Sequence, residues 1–176
     1  MQAPADQRRT DDGDVIVAAD IVGTVAFVVT ALYAAIAFTS VAQWVGAITA
    51  MLLFAVGVFA FLWSFWNAVQ RSRAEQIGVM QMYLLLGDPT PPRVRRSMLA
   101  ALVVQIATGL GTAIARAESA DGSPGTSLAV GILVPMFGLG LNGLWCAFHG
   151  VFPARPDVTV ESTTTDGSVG HNGDHG

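Results

Sequence analysis

The fold of this chain is decided by one polar connection, NAVQRSRAEQIGVMQMYLLLGDPTPPRVRR, residues 67–96. It separates two hydrophobic halves and holds five of the nine basic residues of the chain. Basic residues beside an apolar span are retained on the cytoplasmic side of a membrane during insertion. The connection therefore predicts a cytoplasmic loop, and this loop fixes the orientation of every other segment. The five basic residues are Arg71, Arg73, Arg93, Arg95 and Arg96.

The composition places the chain among membrane proteins. Its residues are 52% hydrophobic and 12% charged, whereas soluble domains contain roughly 25% charged residues. The net charge of −4 does not suit a protein that binds nucleic acid. The chain contains no lysine and is rich in Ala, Gly and Val, which indicates a GC-rich bacterial genome. We therefore expect a multi-pass protein of the bacterial cytoplasmic (inner) membrane.

Four apolar runs are long enough to cross a hydrocarbon core of ~30 Å at ~1.5 Å per residue. They are predicted at about 20–40, 44–66, 94–116 and 127–151. The predicted fold is an all-α integral membrane protein, an antiparallel bundle of four transmembrane helices with both termini cytoplasmic. The tails, residues 1–19 and 153–176, are predicted to be disordered because they are polar and poor in large apolar residues.

The connection at 67–93 contains an apolar run that does not suit a free loop, and a helical interfacial segment is predicted there. Three placements remain open: it dips into the membrane surface, it docks in a groove of a partner, or it packs under its own bundle. The second helix either continues straight into the cytoplasm or bends along the surface. The predicted docking residues are Ile77, Met80, Tyr83, Leu84, Leu85 and Leu86.

Each span has one face of small or hydrogen-bonding residues, which predicts a left-handed bundle. The amides within the spans, Gln105 and Asn142, need partners in hydrocarbon, and a contact between them is one hypothesis. Asp20 and His149 are the other predicted polar contacts. Pro135 is predicted to kink the fourth span and to leave the Gly131 carbonyl without a partner.

The ends of the spans near the arginine-rich connection allow two further hypotheses. Asp20, Asn67, Arg71, Arg96 and His149 could form a polar ring, and within it Asp20 and His149 could relay a proton. The alternative is that these residues only cap helices or contact lipid. Arg93, Arg95 and Arg96 form a basic cluster that attracts anionic lipid headgroups.

The sequence contains no motif of a known catalytic site, and the single cysteine, Cys146, excludes a disulfide or cysteine cluster within the chain. We expect no cofactor and no metal. The leading hypothesis is a non-enzymatic accessory or assembly subunit that docks on a larger membrane complex. The alternative is an oligomeric small transporter or channel that uses Gln105, Asn142 and Pro135. Expected partners are membrane lipids and other integral membrane subunits.

Overall fold

A computed structural model of the protein describes residues 3–73, 75–87, 90–116 and 127–153, with side chains from Gly13 onward. Nearly all of this part is helical. Residues 117–126, between the third and fourth predicted spans, and almost all of the C-terminal tail lie outside the described residues. The elements are α1 (Ala3–Ala37), α2 (Ser40–Arg71), α3 (Val79–Tyr83), α4 (Pro92–Ala115), a 3-10 segment (Ser127–Leu133) and α5 (Pro135–His149).

Four helical stretches in the described part are long and apolar enough to cross a membrane, as the sequence predicts. They are Gly13–Ala37, Ser40–Arg71, Pro92–Ala115 and Leu128–His149. α1 differs from its prediction, because it begins at Ala3 within the expected disordered tail. Pro4 is tolerated in the first turn of a helix, and Gly13 alone does not end one.

The small and polar faces predicted for the spans are their buried faces. In α2 the buried residues are Ala42, Gly46, Ala47, Ala50, Gly57, Ala60, Ser64 and Ala68. The closest approach joins α2 to α5. A Cβ on Gly57 would lie 2.5 Å from the Phe137 Cα, and one on Gly140 would overlap the Gly57 carbonyl. Only glycine permits such backbone contact, which supplies the close packing that holds membrane helices together.

One end of the bundle is closed by Arg116, and we call it the Arg116 end. The Arg116 Nε donates to the Ala35 carbonyl oxygen at 3.0 Å, and the guanidinium lies 4.4 Å from the centre of the Phe38 ring. Thr39 caps α2 by accepting a hydrogen bond from the Ala42 N–H at 3.3 Å. Arg116 thus satisfies a terminal carbonyl of α1.

The fourth span is broken at Pro135, and the break differs from the predicted kink. The chain runs as a 3-10 helix to Leu133 and as an α-helix from Pro135. The Val134 N–H donates to the Gly131 carbonyl oxygen at 3.1 Å, so the prediction of an unpartnered Gly131 carbonyl is wrong. The tighter 3-10 pattern bonds residues three apart and therefore supplies this donor. As a result α5 begins inside the bundle, where Val134 is fully buried.

Replacing Gly140 by alanine tests the glycine contact. We expect Gly140→Ala to lower the free energy of unfolding by about 1–3 kcal/mol, because the added methyl group forces the two backbones apart. Thermal unfolding of the purified protein in detergent measures this. Gly111→Ala is the matched control, since a Cβ there meets nothing within 4 Å. It should leave stability unchanged or raise it by up to about 1 kcal/mol. Equal stability of both variants would contradict the contact.

Candidate functional site

A polar cluster lies in the middle of the bundle, centred on the fully buried amide of Gln105 in α4. Its Nε2 donates to the Thr24 Oγ1 at 2.7 Å and to the Asp20 Oδ1 at 3.2 Å. Its Oε1 accepts from the Gly138 N–H at 3.2 Å. One side chain therefore joins α1, α4 and α5, and we call these four residues the central cluster.

The break at Pro135 explains why Gly138 has a backbone donor to offer. The Val134 carbonyl accepts from the Phe137 N–H at 2.8 Å, in the 3-10 manner, and the Gly138 N–H turns to Gln105 instead. The first N–H groups of a helix need partners from outside it. Gln105 therefore acts as a cap for a helix that starts within the membrane-spanning bundle.

Asp20 is the unusual member of the central cluster. It is fully buried, and its Oδ2 has no hydrogen-bond partner. Within the part of the chain that the structure describes, an ion pair joins Arg71 to Glu75 and none reaches Asp20. An ionised carboxylate in apolar surroundings is costly without a cation or several donors. Asp20 is thus an acid whose surroundings favour its neutral form.

Two predicted pairings of the polar residues are not formed. The Asn142 Nδ2 donates to the Tyr83 carbonyl oxygen at 3.0 Å and does not bond to Gln105. Gln105 instead accepts from the N–H of Gly138, one turn earlier in α5. His149 stacks on Trp145 with 5.5 Å between ring centres. In the described residues no hydrogen bond joins it to Asp20, so the predicted direct relay is not built.

Residues 75–87, which we call the returning segment, fold back into the bundle. α2 ends at Arg71, and the Gln76 N–H donates to the Pro153 carbonyl oxygen at 3.0 Å. The Tyr83 hydroxyl then reaches α2, donating to the Phe61 carbonyl oxygen at 3.2 Å and lying 3.3 Å from the Ser64 Oγ. Phe61 and Ser64 belong to a membrane-spanning stretch. Non-helical backbone at such depth requires protein around it.

The returning segment is held by local features of α5 and of its own backbone. A Cβ on Gly143 would overlap the Tyr83 ring, so glycine is what admits this ring. The Cys146 Sγ lies 3.7 Å from the Gln81 carbonyl oxygen. Leu85 is fully buried and adopts a φ of 51°, a strained value for a non-glycine residue. Burial raises the pKa of the Tyr83 hydroxyl, and its hydrogen bond with Ser64 opposes this rise.

The six predicted docking residues divide into two groups. Tyr83 and Leu85 are buried in the chain's own core together with Met82, so the third of the three placements, packing under the bundle, is the observed one. The structure does not leave Tyr83 and Leu85 available for the predicted docking or interfacial contact, because the segment turns inward instead of lying flat. Met80 and Leu86 remain 64% and 47% exposed. Ile77 and Leu84 are partly buried.

The opposite end of the bundle, which we call the arginine-rich end, is organised by Arg71. Its guanidinium forms an ion pair with Glu75 at 2.7 Å. The guanidinium also donates to the carbonyl oxygens of Ala147 at 2.5 Å and Gly150 at 3.4 Å, and it thereby neutralises the negative end of α5. The predicted polar ring is not formed, because Asn67 bonds to the Trp63 carbonyl of its own helix at 2.8 Å.

A pocket of about 340 Å³ opens at the arginine-rich end, and we call it the end pocket. Arg95 bridges across it and donates to the Gly87 carbonyl oxygen at 3.4 Å. Thr90 and His149 also line it, and the Cys146 thiol is the polar neighbour of the Thr90 hydroxyl. Arg93 and Arg96, predicted to contact lipid headgroups, are exposed beside it on the first turn of α4. The lining residues are Gly87, Thr90, Pro91, Pro92, Arg95, His149 and Val151.

Sequence reasoning missed the roles of Thr24, Tyr83 and Thr90. Thr24 follows Asp20 by four residues, so a helical spacing could have placed both on one face. The roles of Tyr83 and Thr90 depend on a chain reversal for which the sequence carries no signal. In the described residues, no group of three or more His, Cys, Asp or Glu side chains is arranged to hold a metal.

Comparisons with known proteins give no relative from which a function could be transferred. No family model, no curated protein and no solved structure matches this chain. The function must therefore be argued from the site itself.

The lone cysteine allows the packing of the returning segment to be tested. We expect Gly143→Ala to displace the Tyr83 ring and to raise the alkylation rate of Cys146 roughly tenfold, which corresponds to about 1.4 kcal/mol of easier opening. Cys146 is fully buried in the parent protein. Gly111→Ala serves as the control and should alkylate at the parental rate. A Gly143→Ala protein that is as slow as the parent would show that the segment does not cover the thiol.

Proposed function

We propose that this chain is a small membrane transport protein that carries protons, either alone or coupled to a second solute. The observation that carries the proposal is Asp20, a fully buried acid with one oxygen unpartnered. Ionisable residues inside membrane spans are costly to keep and most often belong to ion or proton pathways. The hydrogen bond between Asp20 and Gln105 gives the polar interior of the bundle the acid that a proton-coupled transporter requires.

Two features of the backbone support the same proposal. The fourth span is interrupted at Pro135, and the N-terminal turn of α5 faces the central cluster through Gly138. Transporters bind ions and substrates at such broken helices, whose exposed backbone groups serve as ligands. The returning segment adds non-helical backbone within the bundle, another feature of membrane proteins that move solutes.

The orientation is part of the proposal. The arginine-rich end faces the cytoplasm, because Arg71, Arg93, Arg95 and Arg96 gather there. Consecutive spans then run antiparallel in a bacterial inner membrane, and both termini are cytoplasmic. A cysteine introduced at Arg73 in a Cys146→Ala background should react with a membrane-impermeant reagent only after the cells are opened. Labelling from the cell exterior would refute this orientation.

Proton movement into liposomes tests the role of Asp20. The full-length protein is reconstituted with a trapped pH dye, and a potassium diffusion potential drives protons inward. We expect proton entry above that of protein-free liposomes, and its loss in Asp20→Asn, because an amide cannot exchange a proton at this position. Asp14→Asn is the matched control, since Asp14 is an exposed acid on the same helix. It should retain the parental rate.

Two results would refute the proposed transport function. One is proton entry no faster than in protein-free liposomes. The other is an Asp20→Asn protein that conducts like the parent. Melting temperatures of both variants show whether each is folded.

An accessory subunit that docks on a larger membrane complex is the second candidate function. The observation that favours it is the pair Met80 and Leu86, large apolar side chains that remain exposed on the returning segment. If this surface binds a partner, Met80→Ser combined with Leu86→Ser should lose companions that copurify from native membranes in mild detergent. Ile36→Ser, at the Arg116 end, should retain them. A parent protein that purifies without companions would argue against this function.

A further inference from the structure

A groove of about 370 Å³ runs along the surface of the bundle between α1 and α4. Both of its walls belong to stretches that are long and apolar enough to cross a membrane, so in a membrane the groove opens toward hydrocarbon. Its walls consist of aliphatic side chains and two hydroxyl residues, and none of them is charged. We call it the lipid-facing groove. Its lining residues are Ile21, Thr24, Val25, Val28, Val29, Ser97, Ala100, Ala101 and Val104.

Small side chains on α4 create the space in this groove. Ser97, Ala100 and Ala101 form most of the α4 wall, whereas larger aliphatic residues line the wall of α1. At the inner edge Thr24 is buried, and its hydroxyl accepts a hydrogen bond from the Gln105 amide. A molecule in the lipid-facing groove therefore lies directly beside the central cluster.

The length of the groove matches one leaflet of a membrane. Its lining runs from Ile21 to Val29 on α1 and from Ser97 to Val104 on α4, which is ~10–12 Å at ~1.5 Å per residue. Half of a hydrocarbon core of ~30 Å is ~15 Å. The lining residues of α4 belong to the first half of that helix, next to the arginine-rich end. The groove thus follows the direction and much of the depth of an acyl chain in that leaflet.

A cation lies beyond the end of the groove that is nearer to the membrane surface. Arg93 precedes Ser97 by four residues, so it lies on the same face of α4 and one turn farther out. It is exposed, and within the described residues no acid forms an ion pair with it. Asp14, an exposed acid of α1, lies two turns before Ile21. An apolar groove with a cation at its outer end is complementary to an acyl chain that carries a phosphate.

We infer that the lipid-facing groove binds one acyl chain of an anionic membrane phospholipid, whose phosphate contacts Arg93. The apolar lining favours a hydrocarbon chain over a polar occupant, and acyl chains are the molecules that surround a groove within the spans. The lipid is thus a partner bound at a defined place. This inference does not depend on the proposed transport function, because it uses only the spanning stretches, the groove and Arg93.

Filling the groove tests the site of the acyl chain. Native mass spectrometry of the full-length protein in detergent measures the affinity for added phosphatidylglycerol. We expect Ala100→Phe to weaken binding roughly tenfold, because the added ring occupies the space of the chain. Ile114→Phe is the matched control, since Ile114 is an exposed residue of α4 outside the groove. It should change the affinity less than about twofold.

Removing the cation tests the contact with the headgroup. Arg93→Gln should weaken phosphatidylglycerol binding about fivefold, whereas Arg73→Gln, which removes an exposed arginine at the end of α2, should change it less than about twofold. Diacylglycerol, which has the chains and lacks the phosphate, should bind the parent about fivefold more weakly than phosphatidylglycerol does. Its affinity should be the same for the parent and for Arg93→Gln.

Three results would overturn the inference. The first is an absence of phosphatidylglycerol binding, and the second is an equal effect of the two phenylalanine variants or of the two arginine variants. The third is a dimer of the parent that Ala100→Phe dissociates, because a second copy of the chain would then fill the groove. Melting temperatures show whether each variant is folded. Should Ala100→Phe fail to fold, Ala100→Leu replaces it, with a smaller loss in the same direction.

Discussion

Hydrocarbon offers no hydrogen bonds, so every polar group inside a membrane bundle must be satisfied by the protein. In this chain the Gln105 amide meets most of this requirement. Its oxygen accepts from a backbone N–H of α5, and its nitrogen donates to two side chains of α1. The break at Pro135 is tolerated because Gln105 supplies the partner that the helix start lacks. Asp20 is tolerated because the same amide donates to one of its oxygens. A single side chain therefore permits both unusual features of the bundle.

The same constraint governs the returning segment. Part of its backbone is not helical, so its polar groups need partners from other helices. Asn142 donates to the Tyr83 carbonyl, and the Tyr83 hydroxyl donates to the Phe61 carbonyl of α2. Space for this arrangement comes from Gly143, where a side chain would overlap the Tyr83 ring. The strained backbone of Leu85 persists because the buried side chain anchors it in the core. The returning segment is thus packed and hydrogen-bonded as part of the bundle.

The sequence predicted those features of the fold that depend on local pattern. Hydrophobic length indicated the four spans, and the three-to-four spacing of small residues indicated their buried faces, whereas the contact of Gly140 with Gly57 was not predicted. It also identified Asp20, Gln105, Asn142 and His149 as polar residues in or beside the bundle. Their partners could not be predicted, because each depends on how far one helix is rotated and shifted against another. The inward turn of residues 75–87 was one of three placements that stayed open, because an apolar run beside a membrane has the same pattern whether it contacts lipid, a partner or its own bundle.

The distribution of tight and loose contacts has a consequence for any transport cycle. α2 and α5 are joined through backbone contact at Gly57 and Gly140, which leaves little room for sliding. α1 meets α4 beside a lipid-facing groove of about 370 Å³, and across the bundle it is held to α4 by the Gln105 bonds and by Arg116. Exchange of a proton at Asp20 changes one of these bonds directly. α4 is held to the fourth span in a similar way, since a Cβ on Gly109 would lie 2.7 Å from the Gly131 carbonyl oxygen. Under the proposed function, movement is therefore expected as a shift of α1 against the other spans, in which the Gln105 bonds to α1 change.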